Sequence, residues 1–319
     1  MTSNVVEEAQ RLFHSGQPQR AMDLLGQAAS RNDPGALEYL ANLCLAGKIV
    51  NRDLPLSRDL FHRAAIAGSE TAAAIYRAFM ASGTGGPADW NKAIELLELA
   101  SRSDPEAGRE LQLISEMRLS SEGDPLGTFS ADRISNSPDV VMYRSLFTDA
   151  ECDFLIARAM PGMVPSTVVD PQTGELVPNP IRTSDATGFP LVSESPAIHA
   201  LCRRLAAASG THVKQGEPLQ ILRYRPGQEY RAHFDAIGNA DNQRVLTFLV
   251  YLNDDFEGGE THFAKPDIKV KGRKGDGLLF RNADADGRPD LNSQHSGLPV
   301  TAGEKFLASR WIRERPLQY

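Results

Sequence analysis

Cysteine is scarce. Cys44, Cys152 and Cys202 are the only three in 319 residues, an odd number at wide spacing, which argues against a disulfide framework and against a zinc site and fits reduced thiols. Blocks of Lys and Arg are missing as well. The formal net charge is −7, the wrong sign for a nucleic-acid surface. The one basic cluster, Lys269 to Lys274, reads as the solvated edge of a short strand and turn. Long apolar runs are also lacking. Met1 to Gln10 carries Glu7 and Glu8 and no apolar core, so neither a signal peptide nor a membrane anchor is expected, and the expected compartment is the cytoplasm. What remains is an ordinary globular composition, 41% hydrophobic and 24% charged, in a chain long enough for two domains.

The first domain shows itself by repetition. Ala21 to Ala29 recurs as Ser57 to Ala65 and again as Ala93 to Ser101, each time 36 residues on. Such a period marks helix pairs that cannot bury their apolar faces alone and stack on their neighbours. Ala28, Ala64 and Ala100 allow close approach, and Leu24, Leu60 and Leu96 are expected to fill the core. Asn32-Asp33-Pro34-Gly35, Ala67-Gly68-Ser69 and Ser103-Asp104-Pro105 break the two helices of each pair. The pattern resembles Sel1-like repeats, relatives of the tetratricopeptide class, and is assigned to residues 1–118. A stretch rich in turn formers, 119–139, reads as a linker.

The rest, 140–319, is expected to begin near Val140 with two helices, one from Asp149 to Met160 and one from Ser195 to Ala208. Strands are expected at Leu219–Arg225, Arg231–Asp235, Arg244–Leu252, Ile268–Val270, Gly277–Arg281 and Lys305–Arg313. Many short strands with Gly and Pro turns indicate a sandwich or a double-stranded β-helix of the jelly-roll class. The fold class is therefore α+β: an N-terminal α-solenoid, then a β-rich domain with supporting helices.

The chemistry concentrates in the last third. His233 and Asp235 are two apart, so on a strand both project to one side. His295 lies 60 residues beyond Asp235. Joined by the fold, the three make a 2-His-1-carboxylate set, which holds non-heme Fe(II) and leaves coordination positions open. Lys305, ten residues further on, is placed to pair with a remote carboxylate of a co-substrate. His14, His62, His199 and His212 have no partner at ligand spacing and read as structural or surface residues. His262 reads as a decoy.

From Leu219 to Pro316 these residues resemble the prolyl 4-hydroxylase branch of the 2-oxoglutarate- and Fe(II)-dependent dioxygenases. The resemblance is carried by Leu219 to Tyr224, Pro226-Gly227-Gln228, His233-Phe234-Asp235, Arg244 to Leu252 and Gly258-Gly259-Glu260-Thr261. It continues through Gly275-Asp276, His295-Ser296-Gly297, Pro299-Val300, Gly303, Lys305 and Trp311. It implies the double-stranded β-helix, Fe(2+) held by His233, Asp235 and His295, 2-oxoglutarate as co-substrate and L-ascorbate in support. Lys305, Tyr224 and Thr247 would bind the 2-oxoglutarate; Arg182, Tyr230 and Trp311 would face the substrate, with 165–180 as a lid. A protein or peptide containing proline is the implied substrate, with release of succinate and CO2; the helical repeats read either as a docking surface for it or as a cap on the catalytic domain.

Other readings stay open at this point. A 2-oxoglutarate oxygenase could act on a small molecule or another side chain, the repeats could be a non-enzymatic scaffold, or the β-domain could be a cupin, which would have no need of Lys305. The run Asn282 to Gly287 has the acids of a calcium loop without its bidentate Glu.

Overall fold

The computed structural model describes residues 4–169, 176–178, 181–238, 240–284 and 286–318. The chain divides into two compact units. The first comprises Met1–Ser115, Leu119–Gly123 and Leu191–His199, the second Glu116–Arg118, Asp124–Pro190 and Ala200–Tyr319. Among the described residues, no helix is long and apolar enough to cross a membrane.

Seven helices make up most of the first unit: α1 (Asn4–His14), α2 (Pro18–Ala29), α3 (Pro34–Ala46), α4 (Leu54–Ile66), α5 (Glu70–Ser82), α6 (Trp90–Ser101) and α7 (Pro105–Glu116). The 36-residue period extends to the devices that start and stop them. Asp53 and Asp89 cap α4 and α6 by accepting from the backbone N–H of Leu56 and Lys92, at 2.9 Å each. Asp33 and Ser69 do the same for α3 and α5, each satisfying an N–H that the first helical turn leaves free. Gly47 and Gly83 close α3 and α5 in the left-handed region. A Cβ on Gly47 would lie 2.8 Å from Arg52 Cβ, so only glycine fits there.

The core of this unit differs from expectation by one residue in two of the three repeats. Leu60 is buried as expected, whereas Leu24 and Leu96 are half-buried and Leu25 and Leu97 take the fully buried places; Phe61 is buried beside Leu60. A helix of 3.6 residues per turn puts neighbouring positions about 100° apart. Either leucine of the Leu-Leu pairs could have faced inward, and packing chose the second. Phe61 meets Phe79 edge to face at 5.6 Å. Leu191 and Val192 pack against the same cluster.

The second unit is built from antiparallel strands: β1 (Ala131–Asn136), β2 (Asp139–Tyr143), β3 (Val164–Pro165), β4 (Thr167–Val169), β5 (Leu176–Pro178), β6 (Asp185–Phe189), β7 (Leu219–Tyr224) and β8 (Tyr230–His233). They continue as β9 (Arg244–Tyr251), β10 (Glu257–Gly258), β11 (Thr261–Phe263), β12 (Ile268–Val270), β13 (Gly277–Arg281), β14 (His295–Gly297), β15 (Val300–Ala302) and β16 (Lys305–Arg313). A large sheet runs β1-β2-β13-β9-β16-β7-β6-β3, a smaller one β12-β11-β14-β8, and β10-β15 and β4-β5 are two-stranded. The large sheet and the small one are the two sheets of the expected jelly roll. Leu222, Leu249, Phe263, Phe280 and Leu307 share one buried cluster that joins them. The central strands β9 and β16 are buried on both faces, which is why they read as near-continuous apolar runs.

Helix α8 (Asp149–Ala159) opens with a capping box, Thr148 and Glu151 exchanging side-chain and backbone bonds. Helix α9 (Pro196–Ser209) completes the supporting pair. The stretch read as a linker contains β1, which pairs with β2. Its Ser-Asn-Ser-Pro run is the turn of that hairpin, because turn formers serve a hairpin as well as a linker. The lid expected at 165–180 lies partly outside the described residues.

Candidate metal centre and active site

The ladder between β8 and β14 sets His233 directly opposite His295. Opposed residues of an antiparallel pair share a face and stand close, so two segments 62 residues apart deliver their imidazoles to one point. Asp235 arrives differently from the sequence reading. Strand β8 ends at His233, and Asp235 sits in the bend beyond it, turned inward by the hydroxyl of Thr247, which donates to Oδ2 at 2.6 Å. Ligand atoms of the three side chains all lie within 4.8 Å of one another. Asp235 Oδ1 is 3.5 Å from His233 Nε2, and Oδ2 is 3.6 Å from His295 Nε2. Among the described residues, no other group of three His, Cys, Asp or Glu side chains is arranged to hold a metal.

The proton positions fit a divalent cation. A backbone carbonyl can only accept, so His233 Nδ1 donates to Arg231 O at 2.8 Å and His295 Nδ1 donates to Ser293 O at 2.9 Å. In each neutral ring the lone pair is then on Nε2, facing Asp235. Burial lowers the His295 pKa to about 4, with Asp235 opposing, so this ring is neutral at ordinary pH. Burial pushes the Asp235 carboxyl up, but His295, His233 and the Thr247 hydroxyl outweigh it and hold the group well below the usual carboxylate range. Two neutral imidazoles and one carboxylate are the donor set that Fe(II) takes with positions left open.

One narrow cavity joins the three to Lys305, Tyr224, Arg182, Tyr230 and Trp311. Lys305, only 2% exposed, donates to the carbonyl of Gly259 at 2.6 Å. Burial lowers its pKa to about 7, partly offset by Glu260. An incoming carboxylate would favour the charged form of such a lysine and hold its proton in place. Tyr224 is fully buried beside it and bonded to Ser184, and burial raises its phenol above the ordinary range. Tyr230 lies flat on His233, and the Arg182 guanidinium is 5.5 Å from the Tyr230 ring. Trp311 is held from its other side by Arg244, 3.8 Å over the ring, itself gripped by both oxygens of Glu217.

Thr247 reaches the site through Asp235. It is not among the residues lining the cavity, and its single hydroxyl proton is committed to Asp235, so it has none to give a co-substrate. Thr261, Leu222, Leu249, Leu307, Ser309 and Gly297 line the cavity instead. Leu307 and Ser309 were within reach of sequence reasoning, because Lys305 and Trp311 share their parity on β16 and a strand shows alternate residues to one face. His262 pairs with Asp267 at 2.8 Å and is outside the metal group, and His199 is bonded to Glu194. Asp284 and Asp286 are bonded to Arg288, and Asp290 accepts from the Asn292 backbone. Those carboxylates are used within their own loop.

Comparison with known proteins agrees with this geometry. Residues 219–313 match the 2OG-Fe(II) oxygenase superfamily. Prolyl 4-hydroxylase 1 of Arabidopsis thaliana is 37% identical over 209 residues, covering 60% of this chain and 74% of the relative. Prolyl 4-hydroxylase 2 of the same plant is 34% identical over 220 residues, covering 61% and 73%. Among solved structures, the viral collagen prolyl hydroxylase of Paramecium Bursaria Chlorella virus-1, in its 2OG complex, is 31% identical. It covers 55% of this chain and 95% of that one, with a TM-score of 0.44. A Sel1 repeat protein from Oxalobacter formigenes is 29% identical over 34% of this chain and 85% of its own, with a TM-score of 0.31. With the relatives covered this far and the oxygenase match spanning every strand of the metal group, the chain belongs to the prolyl 4-hydroxylase family of 2-oxoglutarate- and Fe(II)-dependent oxygenases.

Proposed function

We propose that the protein hydroxylates a prolyl residue of a protein or peptide in the cytoplasm. His233, Asp235 and His295 hold Fe(II), Lys305 and Tyr224 hold 2-oxoglutarate, and L-ascorbate keeps the metal reduced. The observation that carries this reading is the sharing of one cavity by the three ligands and a buried lysine. When bound, the metal supplies oxygen activation coupled to decarboxylation of the keto-acid to succinate and CO2 and to hydroxylation of an unactivated C–H bond.

The chain's own work is placement and exclusion of water. Lys305 pairs with the far carboxylate of 2-oxoglutarate in a low-dielectric pocket, where the contact is stronger than in water. Tyr224 donates its phenolic proton to the same group, since its raised pKa keeps it protonated. Leu222, Leu249 and Leu307 keep that end of the cavity dry. Tyr230 and Trp311 wall the substrate side and Arg182 offers donors to a peptide carbonyl.

The helical unit docks the same substrate. Between α4, α5, α6 and α7 runs a groove of about 620 Å³ lined by Ala65, Ala73, Tyr76 and Leu96, with Ile66 75% and Leu99 58% exposed at it. Exposed apolar side chains gathered at a groove mark a binding surface.

The test is turnover with Fe(II), ascorbate and 2-oxoglutarate, measuring succinate with and without a library of proline-containing peptides. Succinate that rises with a peptide, together with a one-oxygen mass gain on its proline, is the expected result. Dependence on 2-oxoglutarate with oxygen delivered only to small molecules would reassign the substrate, and no dependence would remove the activity altogether.

A further inference from the structure

Asn282 is fully buried immediately after β13. Its Nδ2 lies 2.8 Å from Thr247 Oγ1, which in turn lies 2.6 Å from Asp235 Oδ2. The chain of bonds has one possible polarity. An ionised carboxylate only accepts, so the Thr247 proton goes to Asp235; the hydroxyl then has lone pairs alone to offer, and Asn282 must donate. This also fixes the amide orientation, leaving Asn282 Oδ1 buried with no hydrogen-bond partner among the described residues.

A buried amide whose oxygen finds no partner among the described residues is a poor structural choice. A leucine of similar size would fill the space with no unsatisfied acceptor. What leucine lacks is the donor. The backbone holds that donor firmly: Asn282 N donates to Val245 O, and its carbonyl accepts from Asp290 N, both at 2.9 Å. Strand β13 pairs with β9 so that Phe280 is opposite Thr247, which brings Asn282 alongside the threonine.

We infer that Asn282 is a positioning residue for the metal centre, acting through Thr247 to anchor Asp235 Oδ2 and so leave Oδ1 as the oxygen presented to the cation. A carboxylate hydrogen-bonded at one oxygen offers its other oxygen to a cation more readily. One free to chelate with both would take up a position that a bidentate keto-acid needs. The inference rests on the metal site proposed above.

The test uses the full chain and Mn(II) as the probe, with affinity read by the loss of free-ion resonance and folding read by thermal melting of the metal-free protein. Asn282→Leu removes the donor and the unpaired oxygen together. A positioning role predicts an Mn(II) affinity about 10- to 100-fold weaker with an unchanged or higher melting temperature, because no buried acceptor is left unpaired. Thr247→Val should match it, Thr247→Ser should restore most of the affinity, and combining Thr247→Val with Asn282→Leu should add little. Wild-type affinity in Asn282→Leu, or a loss accounted for by a fall in the folded fraction, would overturn the inference; should that variant not fold, Asn282→Ala, which also removes the donor, is read in the same way. Absence of Mn(II) binding by the unaltered chain would count against the metal site itself, a different result.

Discussion

Tyr230 and His233 stack with ring centroids 3.5 Å apart and planes 15° from parallel. The two begin and end β8, and the contact locks the imidazole in a plane while its Nδ1 is held by the Arg231 carbonyl. A ligand whose rotation is already frozen loses less entropy on binding a cation. Tyr230→Phe keeps the stack and should leave Mn(II) affinity near wild type. Tyr230→Ala removes an aromatic pair worth about 0.5–1.5 kcal/mol, so affinity should fall between twofold and about tenfold. Equal affinity in the two variants would show that the ring is not what orders His233.

Removing a ligand outright has a larger effect. His233→Ala, Asp235→Ala and His295→Ala should each retain no stoichiometric iron after gel filtration and produce no succinate, since two remaining ligands hold a labile divalent ion poorly. The fold should survive, because the sheets are joined by Leu222, Leu249, Phe263 and Phe280 rather than by the metal. Metal analysis and melting of the same samples check both halves, and a variant that keeps full iron and activity would remove its residue from the site.

Lys305 makes 2-oxoglutarate binding depend on pH in a stated direction. In the free site its pKa is lowered to about 7 by burial, and a bound carboxylate raises it. Below pH 7 the proton is already present and affinity should be flat. Above it, binding must take up a proton, so affinity should fall by about tenfold per pH unit until the pKa of the complex is reached. His295, at about 4, stays outside this window. Lys305→Arg, which cannot lose its charge, should flatten the profile; Lys305→Ala should weaken binding about tenfold to a hundredfold, the worth of a charge-assisted contact of about 1.5–3 kcal/mol, with iron retained. Titration of the Mn(II)-loaded protein with 2-oxoglutarate across roughly pH 6 to 9 checks the slope, and a flat wild-type profile would place the anchoring charge elsewhere.

How far such a site can be read from sequence depends on which physical signal a residue leaves. Lys305 is legible from its spacing to His295, Trp311 from the family resemblance, and the repeats because a solenoid must reuse its packing positions every 36 residues. The choice between Leu24 and Leu25, or between Leu96 and Leu97, is not legible, since adjacent leucines carry the same apolar signal and only neighbouring helices decide. Asp235 was reached by a strand argument that the structure replaces: β8 stops two residues short, and the carboxylate is turned inward by Thr247 from another strand. Asn282 left no local trace at all. It stands in a run of Asn, Asp and Gly that reads as loop, and its partner is 35 residues away.

The helical unit calls for a test that does not remove it. Leu191 and Val192 pack on its apolar cluster, and Glu110 accepts from the backbone N–H of Ala197 at 2.9 Å, near the start of α9. A chain beginning near Val140 would leave those residues without their support, and would also lose β1. Its failure would say nothing about docking. Ile66→Glu and Leu99→Glu in the full chain are cleaner, because both side chains are mostly exposed and surface substitutions of that kind usually change stability by about 0.5 kcal/mol or less. If the groove docks the substrate, turnover of short peptides should be unchanged while KM for an intact protein substrate rises by at least about tenfold, as expected when a second binding contact is lost. An intact-protein KM equal to wild type in both variants would rule the groove out as the docking surface and leave the repeats a supporting role.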